Sequence, residues 1–447
     1  MPTRDLELLP ERLLKQAQRA GAQDAEVWVQ ESTRFVTHLR HGNVEELTEA
    51  TTRSVHLRVF VEQRVGRASS SDLRSKELAA LAKRAVEHAW KSHADPFAGL
   101  PEKTGAVPPS QGLDLYDPEL ETMTSAEKVA LAREAERIGL SLDPQVKNSG
   151  GAGFSTTRGQ VWLANTRGFF NGYKASSCSL SLYLLGHERG RAEQVSDYWD
   201  SVSRHRARLE SPEQVARKTV ERVRRHFGAK KVGTAEVPVI FEPLLAADLL
   251  SDIFGAVRGE AIYLRRSFLA DQLGRKIAAD GVTIVDDGLL PGGIGTRPFD
   301  REGMPSQRTL VVEKGVLRNY LCGSYSARKL KLKSTGNGTG DGEAPTNFHL
   351  AAGPHAPEAI VGSVKKGLYL TRLIGQGVNL VTGDYSRGAF GLWIEDGHFV
   401  HPVREITISS NLRAMLEGME MVGNDLELRD QFSAPTVKIA AMTVAGT

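Results

Sequence analysis

Past residue 233 the chain repeatedly breaks on an acidic or lysine residue followed by glycine, and this punctuation constrains its fold more than any other feature. Val282-Thr283-Ile284-Val285 ends at Asp286-Asp287-Gly288. Residues 309–312 turn at Glu313-Lys314-Gly315 into 316–321, and Leu392-Trp393-Ile394 turns at Glu395-Asp396-Gly397 into His398-Phe399-Val400. Such corners supply the positive φ that tight hairpin turns need. With further strand-like runs at 368–373, 378–381, 403–408 and 436–444, they predict an antiparallel β-rich domain over residues 231–447. One helix is embedded in it, at about 244–257 after the strand 237–241. Its Ala246, Leu249, Leu250, Ile253, Phe254 and Val257 share an apolar face, opposite Asp248, Ser251, Asp252 and Gly255.

The N-terminal half has a different texture. Leu8, Leu9, Leu13, Leu14 and Ala17 recur at helical spacing and Gly21 follows as a stop. Strand-like runs at 26–29, 35–39 and 54–60 then predict a meander, followed by a helix over about 75–90. A stretch at 95–118 carries Pro96, Pro101, Pro108, Pro109 and Pro118 and reads as a linker or a loop lying over a surface. Beyond it the order returns: a helical pattern at 125–138, strands at 159–164 and 177–185, and a helix over about 211–227. The expected fold class is therefore α+β. An N-terminal region at 1–230 is built of helix–meander–helix units, with 1–94 and 119–230 reading as an internal repeat, and the β-rich domain follows at 231–447.

At 447 residues the chain has length for two or three cores. Its 57 basic and 54 acidic residues nearly cancel, which argues against nucleic acid as a partner. The basic run at 204–231 reads as a solvated helix face, since it is interleaved with Glu213 and Glu221. Cys178 and Cys322 are too few and too distant for a disulfide framework and are expected to be buried thiols. No run of about 18 apolar residues is present to span a membrane, and the N-terminal residues lack the apolar core of a signal peptide, so a cytoplasmic location is expected.

Four motifs occur in order in the C-terminal half. They are Ser334-Thr335-Gly336-Asn337-Gly338 with Pro345-Thr346-Asn347, Gly383-Asp384-Tyr385-Ser386-Arg387-Gly388, Pro402-Val403-Arg404-Glu405-Ile406-Thr407-Ile408, and Gly423-Asn424-Asp425. In these the chain resembles the TldD/PmbA metallopeptidase family, and within it the TldE (PmbA) type of subunit. In the TldD type, the helix matching 244–257 resembles the site of an HExxxH motif, whose histidines bind zinc and whose glutamate is the general base. The resemblance puts Ser251, Asp252 and Ala256 at those three places. None reproduces a neutral imidazole ligand, and an Asp reaches less far than Glu. The family's third ligand, a cysteine in the C-terminal β region, has no counterpart between Asn424 and Thr447.

The resemblance thus implies no catalytic residue and no metal in this chain, with zinc in a TldD-type partner subunit. It also implies a shared chamber that admits small or unfolded peptides as substrates. Histidines five apart on a regular helix sit about 140° apart, so such a motif needs a locally widened turn. Gly255 fits such a distortion or, equally, close packing. Asp248 and Asp252 read as a solvated face or, less simply, as a pair for a hard cation.

The glycines of 335–347 cost backbone entropy and need a reason. Thr335, Gly336, Asn337, Gly338 and Asn347 are accordingly the candidates for binding peptide backbone. Two other readings stay open: a non-proteolytic peptide-binding or scaffolding homodimer, and a hydrolase with an unrecognised site. No Gly-x-Ser-x-Gly elbow exists to serve the latter. In isolation, a subunit without its obligate partner is expected to self-associate, a homodimer being one form, or to lose stability.

Overall fold

The computed structural model describes residues 6–102, 104–188, 190 and 194–446. Helix α1 (Leu9–Arg19) turns Leu9, Leu13, Leu14 and Ala17 inward, as its spacing requires. It leads into the meander β1 (Asp24–Arg40), β2 (Asn43–Val61) and β3 (Arg64–Ser70), and α2 (Ser75–Lys91) packs back on it. The order then repeats with α3 (Ser125–Leu142), β4 (Asn148–Asn165), β5 (Phe170–His187), β6 (Gln194–Ser203) and α4 (Pro212–Arg224). Reciprocal capping boxes start α3, between Thr124 and Glu127, and α4, between Ser211 and Gln214.

The two meanders share one antiparallel sheet of order β3-β2-β1-β4-β5-β6, in register from Glu26 opposite Asn165 to Leu39 opposite Ala152. Each keeps its own core: Leu13, Val27, Val59 and Leu81 in the first, Ala132, Phe154, Leu182 and Val223 in the second. The runs at 26–29 and 35–39 prove to be one strand. The polar residues between them are paired on both sides, with β2 and with β4, and ladder hydrogen bonds need no apolar side chain. The Pro-rich 95–118 segment lies against the surface, its carbonyls at Phe97 and Gly99 accepting from Arg328 at 2.7 and 2.9 Å.

In the C-terminal half, β7 (Ala235–Phe241) leads into α5 (Pro243–Val257) and α6 (Gly259–Tyr263). Short strands β8 (Ile284–Asp287), β9 (Arg308–Glu313) and β10 (Val316–Leu317) follow, with α7 (Ser324–Leu330) and β11 (Phe348–Leu350). The chain ends in β12 (Lys366–Ile374), β13 (Asp384–Glu395), β14 (His398–Asn411), β15 (Met419–Val422), β16 (Phe432–Ser433) and β17 (Val437–Ala445). One sheet has the order β14-β13-β12-β7-β17-β15, and β14 also pairs with β17, which closes a barrel. A second has the order β10-β9-β8-β11-β16. The architecture is thus the expected α+β class, with parallel pairs β7–β12 and β11–β16 inside a mainly antiparallel half. Helix α5 packs between the two sheets, with Phe254 edge-to-face on Phe348 and Phe432 at 5.6 and 5.7 Å.

Two of the three acidic–glycine corners are hairpin turns with paired positive φ: Lys314 and Gly315 at 47° and 79°, Asp396 and Gly397 at 46° and 78°. The corner at Asp286-Asp287-Gly288 is not. Asp286 is buried and accepts from Asn337 Nδ2 at 2.7 Å and from the Thr346 backbone N–H at 2.8 Å, and the chain wanders over 288–307 before β9 pairs back.

The basic run at 204–231 is also more than a solvated face. Arg217 and Arg208 are exposed, but Arg222 and Arg225 are largely covered and held in an ionic knot. Arg222 Nε lies 3.2 Å from Asp197 on β6, and its Nη1 lies 3.0 Å from Glu242, the residue before α5. Arg225 reaches Glu242 at 2.6 Å and the Thr371 carbonyl of β12 at 3.3 Å, and His226 Nε2 stands 3.1 Å from Asp197. Burial works to raise the Asp197 carboxyl. The His226 hydrogen bond and the Arg222 and Arg225 charges outweigh burial and hold it below the usual range.

This knot predicts a stability loss on Asp197→Asn of about 3 kcal/mol at pH 7, because the variant leaves Glu242 as the one carboxylate for two largely covered guanidinium groups and removes the partner of His226. A depressed folded-state pKa contributes stability that is complete above the unfolded value of about 3.9 and is lost as pH falls through the lower, folded one. Denaturant midpoints of both proteins should therefore differ constantly from pH 7 to 5 and converge only below about pH 4. A gap that closes already near pH 6 would show that another group carries the effect.

Candidate functional site

Helix α5 is an unbroken α-helix, and its three positions of interest point to three environments. Ser251 is exposed and opens on a cleft. Asp252 is half-buried and ion-paired with Arg387 of β13 at 3.0 Å. Burial raises its carboxyl, against the pull of Arg387 and with a push from Asp248. Ala256 is fully buried in the main core. No widened turn is present at Gly255. A Cβ there would stand 3.0 Å from Leu380 Cδ1, so the glycine serves close packing.

A hydroxyl, a carboxylate committed to a guanidinium and a core methyl do not fit a tetrahedral zinc site. Among the described residues no group of three or more His, Cys, Asp or Glu is placed to hold a metal ion. Cys178 and Cys322 are buried, and burial pushes both thiols up to about 12, far from the thiolate a metal takes. The Asp248 and Asp252 pair offers little to a cation, since Arg387 already balances Asp252.

The cleft beside Ser251 has a volume of about 710 Å³. One wall is β6, with Tyr198, Asp200 and Val202. The floor is α5 with Asp248 and Ser251, and the far wall is β12 at 371–373 and the segment 429–432. As the last strand of its sheet, β6 pairs on one side only, with β5. Its outer edge therefore borders the cleft with backbone groups that have no strand partner. Arg372 donates to the Ser196 carbonyl at 3.4 Å and Arg429 to that of Asp200, so parts of this edge are already covered.

Arg429 also lies over the Trp199 ring at 3.8 Å. A bulge in β12 falls between Leu370 and Arg372 and tucks Thr371 inward. Burial raises Asp200, opposed by Arg429 and reinforced by Asp430. The cleft is thus open, lined by Asp197, Asp200, Asp248 and Asp430 against Arg222, Arg372 and Arg429, and flanked by a strand edge, an arrangement suited to an extended chain whose backbone pairs with that edge.

The Gly-rich segment behaves differently from the expectation of peptide-binding amides. Thr335, Asn337 and Asn347 are buried and bonded inside the fold. Asn337 Nδ2 donates to Asp286 and to the Ala344 carbonyl at 2.7 and 3.0 Å, and its Oδ1 accepts from Thr335 at 2.6 Å. Asn347 Nδ2 donates to the Asp287 carbonyl at 2.6 Å and to Thr296 at 2.8 Å. Gly336 and Gly338 answer a packing need. A Cβ on Gly336, at φ 73°, would sit 2.4 Å from the Pro305 carbonyl, and one on Gly338 would sit 2.4 Å from Glu302 Oε2.

The missing side chain lets the Gly338 N–H reach Asp300 at 2.7 Å. Burial, with Glu302 beside it, pushes Asp300 up to about 8. The segment is a cradle for buried carboxyls, and only 339–342 remains at the surface.

Sequence reasoning missed β6 and with it Tyr198 and Asp200. The signal was weak because QVSDYWDSVS alternates without an apolar face: the inward positions include Asp197 and Ser201, which are buried through ionic and hydroxyl contacts.

Three family models cover most of the chain: PmbA/TldA metallopeptidase domain 1 at residues 25–89, the central domain at 118–227 and the C-terminal domain at 234–446. The metalloprotease PmbA of Escherichia coli O157:H7 is 34% identical over 94% of this chain and 92% of its own length. The PmbA homolog of Haemophilus influenzae is 33% identical over 96% and 94%. Among solved structures, one from Bacteroides thetaiotaomicron, described as a candidate modulator of DNA gyrase, superimposes over 100% of both chains with a TM-score of 0.92 at 26% identity. TldE from Thermococcus kodakarensis shares the fold, with a TM-score of 0.88 at 20% identity over 98% of this chain and 99% of its own. Matched by these models from residue 25 to residue 446, and by PmbA proteins along nearly its whole length, the chain belongs to the PmbA/TldD metallopeptidase family.

Proposed function

We propose that this protein is a TldE-type subunit that handles peptides without cleaving them, and that zinc and catalysis reside in a TldD-type partner. The carrying observation is the divergence of Ser251, Asp252 and Ala256, one in the cleft, one in an ion pair and one in the core. Metal-assisted hydrolysis needs an open metal position and a nearby acid–base group, and this helix assembles neither. What the chain offers instead is the cleft. A small or unfolded peptide lies extended along the β6 edge, its backbone bonded there and its positive groups facing Asp200 and Asp248.

A cleft of about 710 Å³ holds only a short extended segment, and folded proteins are excluded by size. In this reading residues 1–230 supply the edge and 231–447 the floor. No helix among the described residues is long and apolar enough to cross a membrane. TldD homologs are among the relatives, such as that of Buchnera aphidicola at 24% identity over 73% of this chain.

The purified chain should hold no stoichiometric zinc after mild dialysis, by elemental analysis. Near one zinc per chain, lost on changing Ser251 or Asp252, would defeat the reading. Size exclusion of this chain, the organism's own TldD-type protein and their mixture, with a chelator-controlled peptidase assay on each peak, should give turnover only where the partner is present. Chelator-sensitive cleavage by this chain alone would overturn the non-catalytic assignment. Absence of a mixed peak, with a homodimer that still binds peptide, would favour the scaffolding alternative. In the active complex, Asp200→Asn should weaken cationic peptides by about tenfold, or about 1.4 kcal/mol, and leave anionic ones unchanged.

A further inference from the structure

A second cavity, of about 320 Å³, lies between the N-terminal sheet and the C-terminal half. Its walls come from β2 and β3, from the segment after α2, from α6 and α7, and from residues 340–343 of the Gly-rich segment. Charges held away from water are normally compensated by an opposite charge. Arg58 on the wall obeys this rule, with Glu26 at 2.8 Å and Glu302 at 3.6 Å, and Arg67 pairs with Asp341 at 2.5 Å.

Two other charges on the same wall do not. Glu343 is buried, and it accepts only from neutral donors: Ser326 Oγ at 2.5 Å, the Glu260 N–H at 3.2 Å and the Gly323 N–H at 3.3 Å. Among the described residues no lysine or arginine comes within ion-pair distance of it. Arg328 spends its guanidinium on the carbonyls of Phe97, Gly99 and Leu100, at 2.7, 2.9 and 3.4 Å, and likewise has no carboxylate partner. Burial pushes the Glu343 carboxyl up and the Arg328 guanidinium down, and the charges that oppose burial, Arg258 for Glu343 and Glu302 for Arg328, act from beyond ion-pair distance.

Both residues line one cavity, together with Tyr263 and Tyr325, whose rings meet edge-to-face at 5.8 Å. From this juxtaposition we infer a binding site for a small zwitterion, a free α-amino acid or a dipeptide. Its ammonium group pairs with Glu343, its carboxylate faces Arg328 and its side chain lies against the two tyrosines. A simple anion or cation would answer only one of the two charges. The volume is that of a small-ligand pocket. The site is bounded by elements other than those of the cleft beside Ser251 and does not depend on the peptide reading of that cleft. Since its walls belong to both halves of the chain, a bound zwitterion also holds them together and raises stability by mass action.

Calorimetric titration of the full-length protein with L-leucine and with L-alanyl-L-alanine tests the inference, each beside its N-acetyl and C-amide derivative. At least one parent compound should bind with one site per chain, and both derivatives should bind about tenfold more weakly or worse. The arm that binds distinguishes amino acid from dipeptide. Glu343→Gln should cost about tenfold in affinity with the unfolding midpoint of the free protein nearly unchanged. Should that variant fail to fold, Gly342→Val decides: a Cβ at Gly342 meets only Glu260 Oε2, at 3.5 Å, so the valine fits the backbone and narrows the cavity beside Glu343, and binding should weaken at least tenfold. No saturable binding of either parent at millimolar concentration, equal binding of the blocked derivatives, or full binding by Gly342→Val would each overturn the assignment.

Discussion

The knot of Asp197, Arg222, Arg225, His226 and Glu242 holds the molecule's working geometry. It joins three elements that no apolar contact alone would orient: the edge strand β6, the helix α4 that covers its sheet, and the residue at which the chain enters α5. Glu242 sits one residue before that helix and takes both arginines, so the start of α5 is fixed relative to the N-terminal sheet. Arg225 extends the tie to the carbonyl of Thr371 at the β12 bulge. Directional ionic hydrogen bonds set distance and angle together, whereas burial of apolar surface sets neither. The cleft is the space this joint leaves open.

The same logic separates the two polar centres of the C-terminal half. Around Asp286, Asp300 and Glu302 the Gly-rich segment wraps so closely that backbone N–H groups and amide side chains meet the carboxyls without intervening side chains. Every partner there is internal, and such a network makes the fold specific. Around Glu343 and Arg328 the partners are neutral and the charges stay open. A single run of glycines thus serves a closed cradle at 336–338 and an open wall at 340–342.

What was legible in the sequence follows from how local its cause is. The corners at Lys314-Gly315 and Asp396-Gly397 were readable because a two-residue turn carries its own φ requirement. The capping boxes and the apolar stripe of α5 are local in the same sense, and the helices came out close to their expected bounds. Asp286 was misread as a turn residue because an aspartate in an Asp-Asp-Gly run looks the same whether water or Asn337 donates to its carboxylate. Strand β6 was hidden for the converse reason: its inward face carries Asp197, whose burial is tolerable only because arginines arrive from another helix. Thr335, Asn337 and Asn347 were singled out as candidates for binding peptide backbone. Their direction, inward and not toward a ligand, depends on carboxyls far away in sequence.

The packing around α5 also explains why these three positions do not converge on one point. On an unbroken α-helix, residues 251 and 256 lie about 140° apart. Here that angle carries one of them into the cleft and the other into the core, with Gly255 pressed on Leu380 between them. An imidazole at 251 would be accommodated in open space. One at 256 would have to enlarge a site that now holds a methyl, at a cost of roughly 1–3 kcal/mol for overpacking before its ring nitrogens are satisfied. At 252 a metal-directed carboxylate would first have to give up Arg387. The three positions are therefore stabilised by three unrelated neighbourhoods, and no single substitution moves the helix back toward a metal site. What remains open beside this helix is the cleft, with the strand edge that borders it.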